Sequence, residues 1–260
     1  RLAADALEAE ALRRADTIKT AVLRAVSHDL RTPLMAISTS AGALARRDLA
    51  IDDADRAELL ETILAASDRL DRLVSNLLDL SRLQAGAAEP DRRLLELEEA
   101  VVAALDELGP AAARVEVSFP EDAPAVSVDA RQLQRVLVNL LENALKYSPE
   151  RDVVRVQISA TSSEAMVRVI DHGPGVPAAD RERIFEPFHR GRKSGDAPGA
   201  GLGLAIARGF AEANDGRLWV ESRSDQGATF VLAFPAATVA VGPEASRADG
   251  DTAVRTLPLA

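Results

Sequence analysis

Between Ala54 and Gln84 the chain repeats an apolar residue every seven positions, at Ile63, Leu70 and Leu77, with Leu73 and Leu80 on the interleaved positions of the same heptad. That period fits one regular backbone, an α-helix laying a seam against another helix. Leu60, Leu64, Val74 and Leu78 widen the stripe beyond what a single partner helix covers. A hairpin built on this segment leaves apolar surface in water, and pairing two hairpins as a four-helix bundle buries it. A homodimer through residues 1–84 is therefore expected.

The other arm of the hairpin precedes the heptads. From Leu2 to about Arg46 the chain reads as one long helix, with Leu23, Val26, Leu30, Leu34, Ile37, Ala41 and Leu44 at the three-and-four spacing of a buried stripe. Pro33 lacks a backbone donor and clashes with the carbonyl of Asp29, so a kink is expected there. Residues 47–54 form a polar turn, with Asp52 or Asp53 as N-cap of the second helix. His28, one of three histidines, sits in Ala25-Val-Ser-His-Asp-Leu-Arg-Thr-Pro-Leu34 on the face opposite the stripe. That periodicity places its imidazole in solvent, flanked by Asp29.

Composition narrows the partners. With 3% aromatic and 47% hydrophobic residues, the core is aliphatic, as suits helix-rich packing. The chain has no cysteine, which excludes disulfides and thiolate metal sites. A net charge of -10 without an extended basic run argues against nucleic acid or an anionic membrane as partner. No apolar stretch approaches the roughly 20 residues that span a bilayer. The chain opens inside helical sequence without Met, so it is expected to be a fragment whose upstream part is cut away, itself without membrane contact.

Periodicity stops at residues 85–93, which carry Gly86 and Pro90 and read as a linker. Beyond it, strands are expected at 94–97, 114–119, 125–128, 152–160, 164–171, 216–223 and 227–234, and helices at 98–108, 129–147, 179–185 and 201–214. The alternation in Val154-Arg-Val-Gln-Ile and Met166-Val-Arg-Val-Ile marks neighbouring strands with one wet face. Residues 94–235 thus form a two-layer α/β domain, and 236–260 an aperiodic, disordered tail.

Three stretches of this second part suit a ligand, two of them through phosphate and one through a flat group. Asn139, Asn143 and Lys146 fall three or four residues apart on one helix face, an amide surface beside an ammonium that fits a hydrated divalent metal and the phosphates it bridges. Asp171-His-Gly173-Pro-Gly175 puts an acid at a strand end before two glycines, letting backbone approach a flat ligand while the carboxylate accepts from its amino group. Gly199-Ala-Gly201-Leu202-Gly203 enters a helix whose free amides form an anion site. The preceding polar segment, His189 to Pro198, has the length and charge of a lid over phosphates.

In this order, S-H-D-L-R-T-P-L, N-x-x-x-N-x-x-K-Y, D-x-G-x-G, F-E-P-F and G-x-G-L-G-L resemble the boxes of bacterial sensor histidine kinases, over residues from roughly 15 to 235. The S-H-D-L-R-T-P-L-M-A-I-S variant is similar to that of potassium-responsive members. The resemblance implies an α plus α/β architecture: a dimeric four-helix bundle of hairpins over residues 1–84, followed by a two-layer Bergerat ATP-binding sandwich. It implies ATP and Mg2+ as cofactors, phosphorylation of His28 and transfer to an aspartate of a response-regulator receiver domain.

By that resemblance Asp29 takes the proton from His28, Thr32 orients water in dephosphorylation, and Pro33 is the bend point. Asn143 ligates Mg2+ with Asn139 beside it, Lys146 contacts phosphate, and Tyr147 flanks the nucleotide. Asp171 accepts from adenine, with Gly173 and Gly175 giving the base room. Gly199, Gly201, Leu202 and Gly203 present amides to the phosphates, Arg190 meets the γ-phosphate, and Phe185 and Phe188 anchor the lid. His172 departs from the asparagine usual after the acid. The rival readings are an ATPase of the same nucleotide fold that forms no phosphohistidine, and a phosphatase-dominant or scaffold core.

Overall fold

The computed structural model describes residues 29–46, 51–120, 124–189, 200–222, 226–236 and 254–257. The chain divides into two compact units, the first reaching Leu78 and the second starting at Asp79.

In the first unit, helix α1 covers 29–45 and continues through Pro33, whose ring is buried. Helix α2, Asp53–Gln84, starts where the sequence places it. Of the two candidate caps Asp52 serves: its Oδ1 accepts from the Asp55 amide at 2.8 Å. Along α2 the heptad residues Ile63, Leu70, Leu73 and Leu77 are half-buried, whereas Leu60, Leu64, Val74 and Leu78 are exposed, Leu64 by 65%. Leu34 and Met35 on α1 are also exposed. One chain therefore half-covers the seam and leaves the widened stripe exposed, as the sequence anticipates for a single hairpin.

The second unit is built on a six-stranded mixed sheet of order β6-β7-β5-β4-β2-β8: β2 Val115–Pro120, β4 Val154–Ala160, β5 Glu164–Ile170, β6 Arg217–Ser222, β7 Ala228–Pro235 and β8 Val254–Leu257. Strand β2 runs parallel to β4, and the β4-β5-β7-β6 neighbours are antiparallel. Strands β1, Arg93–Glu96, and β3, Ala125–Val128, form a separate antiparallel ribbon. Helices α3, Leu97–Leu108, α4, Ala130–Tyr147, and α5, Gly203–Ala213, pack in a row, α4 in the middle.

The period-two burial of β4 and β5 puts Val154, Val156, Val167 and Val169 inward, against the helix layer that contributes Leu133, Leu137, Leu140, Leu141 and Ile206. Each such aliphatic side chain contributes about 1.5–3 kcal/mol when fully buried. The core is consequently aliphatic with a phenylalanine cluster at β7, where Phe230 and Phe234 are buried.

Four expectations are corrected. The helix expected at 179–185 is two short 3-10 turns, Ala178–Asp180 and Arg183–Phe185, the first following Pro177. The tail expected to lack structure over 236–260 contains β8, whose backbone at 254–257 pairs antiparallel with β2. The linker expected at 85–93 is bonded into the second unit, with Arg93 already in β1. Ala88 O accepts from Gln132 Nε2, the Asp91 amide donates to Asp129 Oδ2, and Arg92 pairs with Asp215. The boundary also lies earlier than Gln84, because the last turns of α2 join this unit: Arg135 Nε meets Asp79 Oδ2 at 3.1 Å, and Leu83 lies against Gly209.

Candidate functional site

Helix α4 carries the first group of predicted residues. Asp129 caps it, its carboxylate accepting from the Arg131 and Gln132 amides, and the helix then presents Asn139, Asn143 and Lys146 in a gradient. Asn139 is 5% exposed, Asn143 half-buried and Lys146 exposed. The deepest member is the informative one. Asn139 Nδ2 is buried and lacks a hydrogen-bond partner, and its Oδ1 faces the start of α5, where a Cβ on Gly203 would stand 2.9 Å away. A side chain at 203 would displace this amide, so the glycine is required for the close approach of α4 to the α5 terminus.

That terminus has no side-chain cap. The N-cap residue of α5, Leu202, is buried and offers no side-chain acceptor to the first amides. Amides without a cap, together with the positive end of the helix dipole, favour a phosphate oxygen. Gly201 adopts φ +69°, a left-handed turn for which glycine is the inexpensive residue.

The second group gathers at the ends of β5 and α4. Asp171 is 5% exposed, and its Oδ1 accepts from the amides of Gly173 at 2.8 Å and Ala228 at 3.0 Å. Desolvation by burial holds its pKa above the ordinary carboxylate value, opposed by those two amide bonds and by the nearby His172. Both bonds fall on the same oxygen. Gly173 is pinned between Asp171 and α4: a Cβ there would lie 2.9 Å from Tyr147 O and 3.0 Å from Asp171 Oδ1. Gly175 takes φ +70°, so both glycines of the motif are needed for different reasons. His172 is exposed, and its amide donates to Ser148 Oγ at the C-cap of α4.

Tyr147 is half-buried, and Lys146 Nζ stands 4.9 Å from its ring centroid. Phe185 is buried edge-on against Phe230, while Arg208 covers its other side at 5.1 Å. Asp29 is half-buried and Thr32 exposed on α1. His28, Arg190 and Gly199 lie outside the described residues.

Sequence reasoning missed Gly227 and Ser222. A Cβ on Gly227 would come 2.1 Å from Asp171 O, and its φ is +79°. Ser222 Oγ donates to Gly227 O and accepts from the Val176 amide, tying β6 to the loop after Asp171. Nothing local marks either, because both act across the sheet.

Among the described residues no cluster of three His, Asp or Glu side chains offers a metal site. A divalent ion here would be held by an amide oxygen and phosphates. The orphaned Asn139 amide and the glycine cradle opposite it fit a nucleotide bound through such an ion.

Comparison with known proteins gives the class of this unit. Residues 128–238 match the family described as "Histidine kinase-, DNA gyrase B-, and HSP90-like ATPase". Residues 18–86 match the "His Kinase A (phospho-acceptor) domain". The chain carries both in tandem and belongs to the sensor histidine kinases. It is 44% identical over 239 residues to the sensor protein KdpD of Mycobacterium tuberculosis H37Rv, covering 89% of this chain and 27% of that protein. It therefore spans little more than a quarter of the curated relatives it first matches. Full-length ShkA, solved with AMPPNP, is 29% identical at TM-score 0.61, covering 83% of this chain and 45% of that one. The Acinetobacter baumannii histidine kinase AdeS, 21% identical at TM-score 0.62 over 80% of this chain and 98% of that one, shares the fold.

Proposed function

We propose that this chain is the catalytic core of a sensor histidine kinase, phosphorylating itself on His28 from ATP and passing the phosphoryl group to an aspartate of a response regulator. The observation that carries the reading is the tandem match: a phospho-acceptor domain bracketing His28 and an ATP-binding domain bracketing Asn139 to Gly203 in one chain. A ring nitrogen of His28 attacks the γ-phosphorus, the bond to the β-γ bridging oxygen breaks and ADP leaves. Attack requires the uncharged imidazole, and Asp29 takes the proton from the other nitrogen.

In the ATP-binding unit Asp171 accepts from the adenine amino group, and Gly173 lets the base reach the β5 end. The α5 amides after Gly201 and the Lys146 ammonium take the phosphates, and Arg190 meets the γ-phosphate. Asn143, supported by Asn139, holds Mg2+, which supplies charge neutralisation on the phosphates. Thr32, exposed one turn beyond His28, orients water when the regulator is dephosphorylated. A homodimer through α1 and α2 is part of the proposal. So is the cytoplasmic placement of this part of a membrane-anchored protein. The tandem match favours this reading over an ATPase that forms no phosphohistidine.

With γ-labelled ATP and Mg2+ the protein is expected to give a phosphoprotein stable in base and labile in acid, which passes its label to a receiver domain. Asn143→Ala should lower the labelling rate by roughly a hundredfold or more. Steady ATP hydrolysis with no phosphoprotein contradicts the proposal.

A further inference from the structure

Phe188 and His189 carry two unfavourable features side by side. Phe188 adopts φ 64°, a left-handed conformation that an aromatic residue rarely takes. His189 Nε2 is buried without a hydrogen-bond partner. Backbone contacts hold both in place: the Phe188 amide donates to Gly201 O at 2.9 Å, and the His189 amide donates to Glu186 O at 3.1 Å. A Cβ on Gly201 would lie 2.8 Å from His189 O and 3.1 Å from Phe188 C, so this dipeptide is seated directly on the glycine turn before α5. The α5 terminus beside that turn is uncapped, and it is where the proposed function places the phosphates. Backbone strain and an unpartnered buried ring nitrogen persist where a second arrangement or a ligand relieves them.

We propose that His189, whose backbone carbonyl lies against the glycine turn, is a further nucleotide-binding residue, its ring turning on binding so that Nε2, carrying the ring proton, donates to a phosphate oxygen of ATP or ADP. A bond from imidazole to an anionic oxygen is charge-assisted, which compensates the rearrangement. The inference rests on the placement of the phosphates at the start of α5. A purely structural histidine would support the empty protein and be indifferent to phosphate.

The test uses the whole chain, with affinity measured for AMPPNP with Mg2+ and for adenosine, and melting temperature measured without ligand. His189→Leu should weaken AMPPNP binding roughly tenfold or more. It should leave adenosine affinity unchanged and should not lower the unliganded melting temperature, because it removes an unpaired polar atom. His189→Gln, which keeps a side-chain N–H, should recover most of the AMPPNP affinity. Unchanged AMPPNP affinity in His189→Leu overturns the inference, as does a parallel loss of AMPPNP, adenosine and unliganded stability. Asp171→Asn separates the two levels: if it abolishes binding while His189→Leu does nothing, the His189 assignment alone falls. If Asp171→Asn leaves nucleotide binding intact, the site itself is misplaced and the inference falls with it.

Discussion

At Asp171 stability and ligand recognition pull in opposite directions. Burial at 5% exposure raises its pKa, while the Gly173 and Ala228 amides both bond the same one of its oxygens. A carboxyl whose folded pKa is raised binds its proton more tightly in the fold than in the unfolded chain. Its stabilising contribution is complete below the unfolded pKa and is lost as pH rises through the folded one. At neutral pH the ionised group therefore costs stability, and a neutral isostere should not. Asp171→Asn is predicted to melt at or above the wild-type temperature at pH 7–8, the difference shrinking as pH falls toward the carboxylate range, and to lose nucleotide binding. Thermal melts across pH beside a nucleotide titration check both halves, and a lower melting temperature at pH 8 contradicts the first. Asp171 and Gly173 were legible because acid and glycines are adjacent in sequence. Gly227 was not, since the constraint on it, 2.1 Å of room before Asp171 O, arises only when β7 pairs with β5.

Among elements, the joint between α2 and the sheet unit departs most from the sequence reading. Residues 85–93 lack period and carry Gly86 and Pro90, which reads as a tether, yet they are fixed by side chains 38 and 44 positions away. Asn214, 3% exposed at the C-cap of α5, accepts from the Asp129 amide at 2.8 Å and donates to Gln132 Oε1 and Phe210 O. Gln132 in turn donates to Ala88 O, and Asp129 accepts from the Asp91 amide. One buried amide thus joins the N-terminus of α4, the end of α5 and the linker. Asn214→Ala leaves the Asp129 amide and Gln132 unsatisfied, a loss expected to cost about 2–3 kcal/mol. Urea unfolding of the variant measures this, and a change below about 0.5 kcal/mol would show that the linker is not held through Asn214. Helices and strands were legible from their periods, whereas this network depends on polar side chains that have none.

For the whole molecule, the question left by one chain is what covers α2. Its heptad seam is half-buried, while Leu60, Leu64, Val74 and Leu78 stand exposed by 47–65%. A contiguous aliphatic stripe of that kind on a long helix marks an association surface. Sedimentation is expected to show a dimer for the wild type and a monomer for Leu64→Glu, because burying an unpaired carboxylate in the bundle is unfavourable. A wild-type monomer at micromolar concentration contradicts the bundle.

The same division into a hairpin bearing His28 and a unit binding ATP makes the central claim a chemical one. It is tested most directly by incubating the wild type and His28→Gln with γ-labelled ATP and locating the phosphate by peptide mapping. The account predicts one acid-labile phosphate on His28 in the wild type and none in His28→Gln, with nucleotide affinity equal in the two proteins. Persistent base-stable labelling of His28→Gln would contradict it.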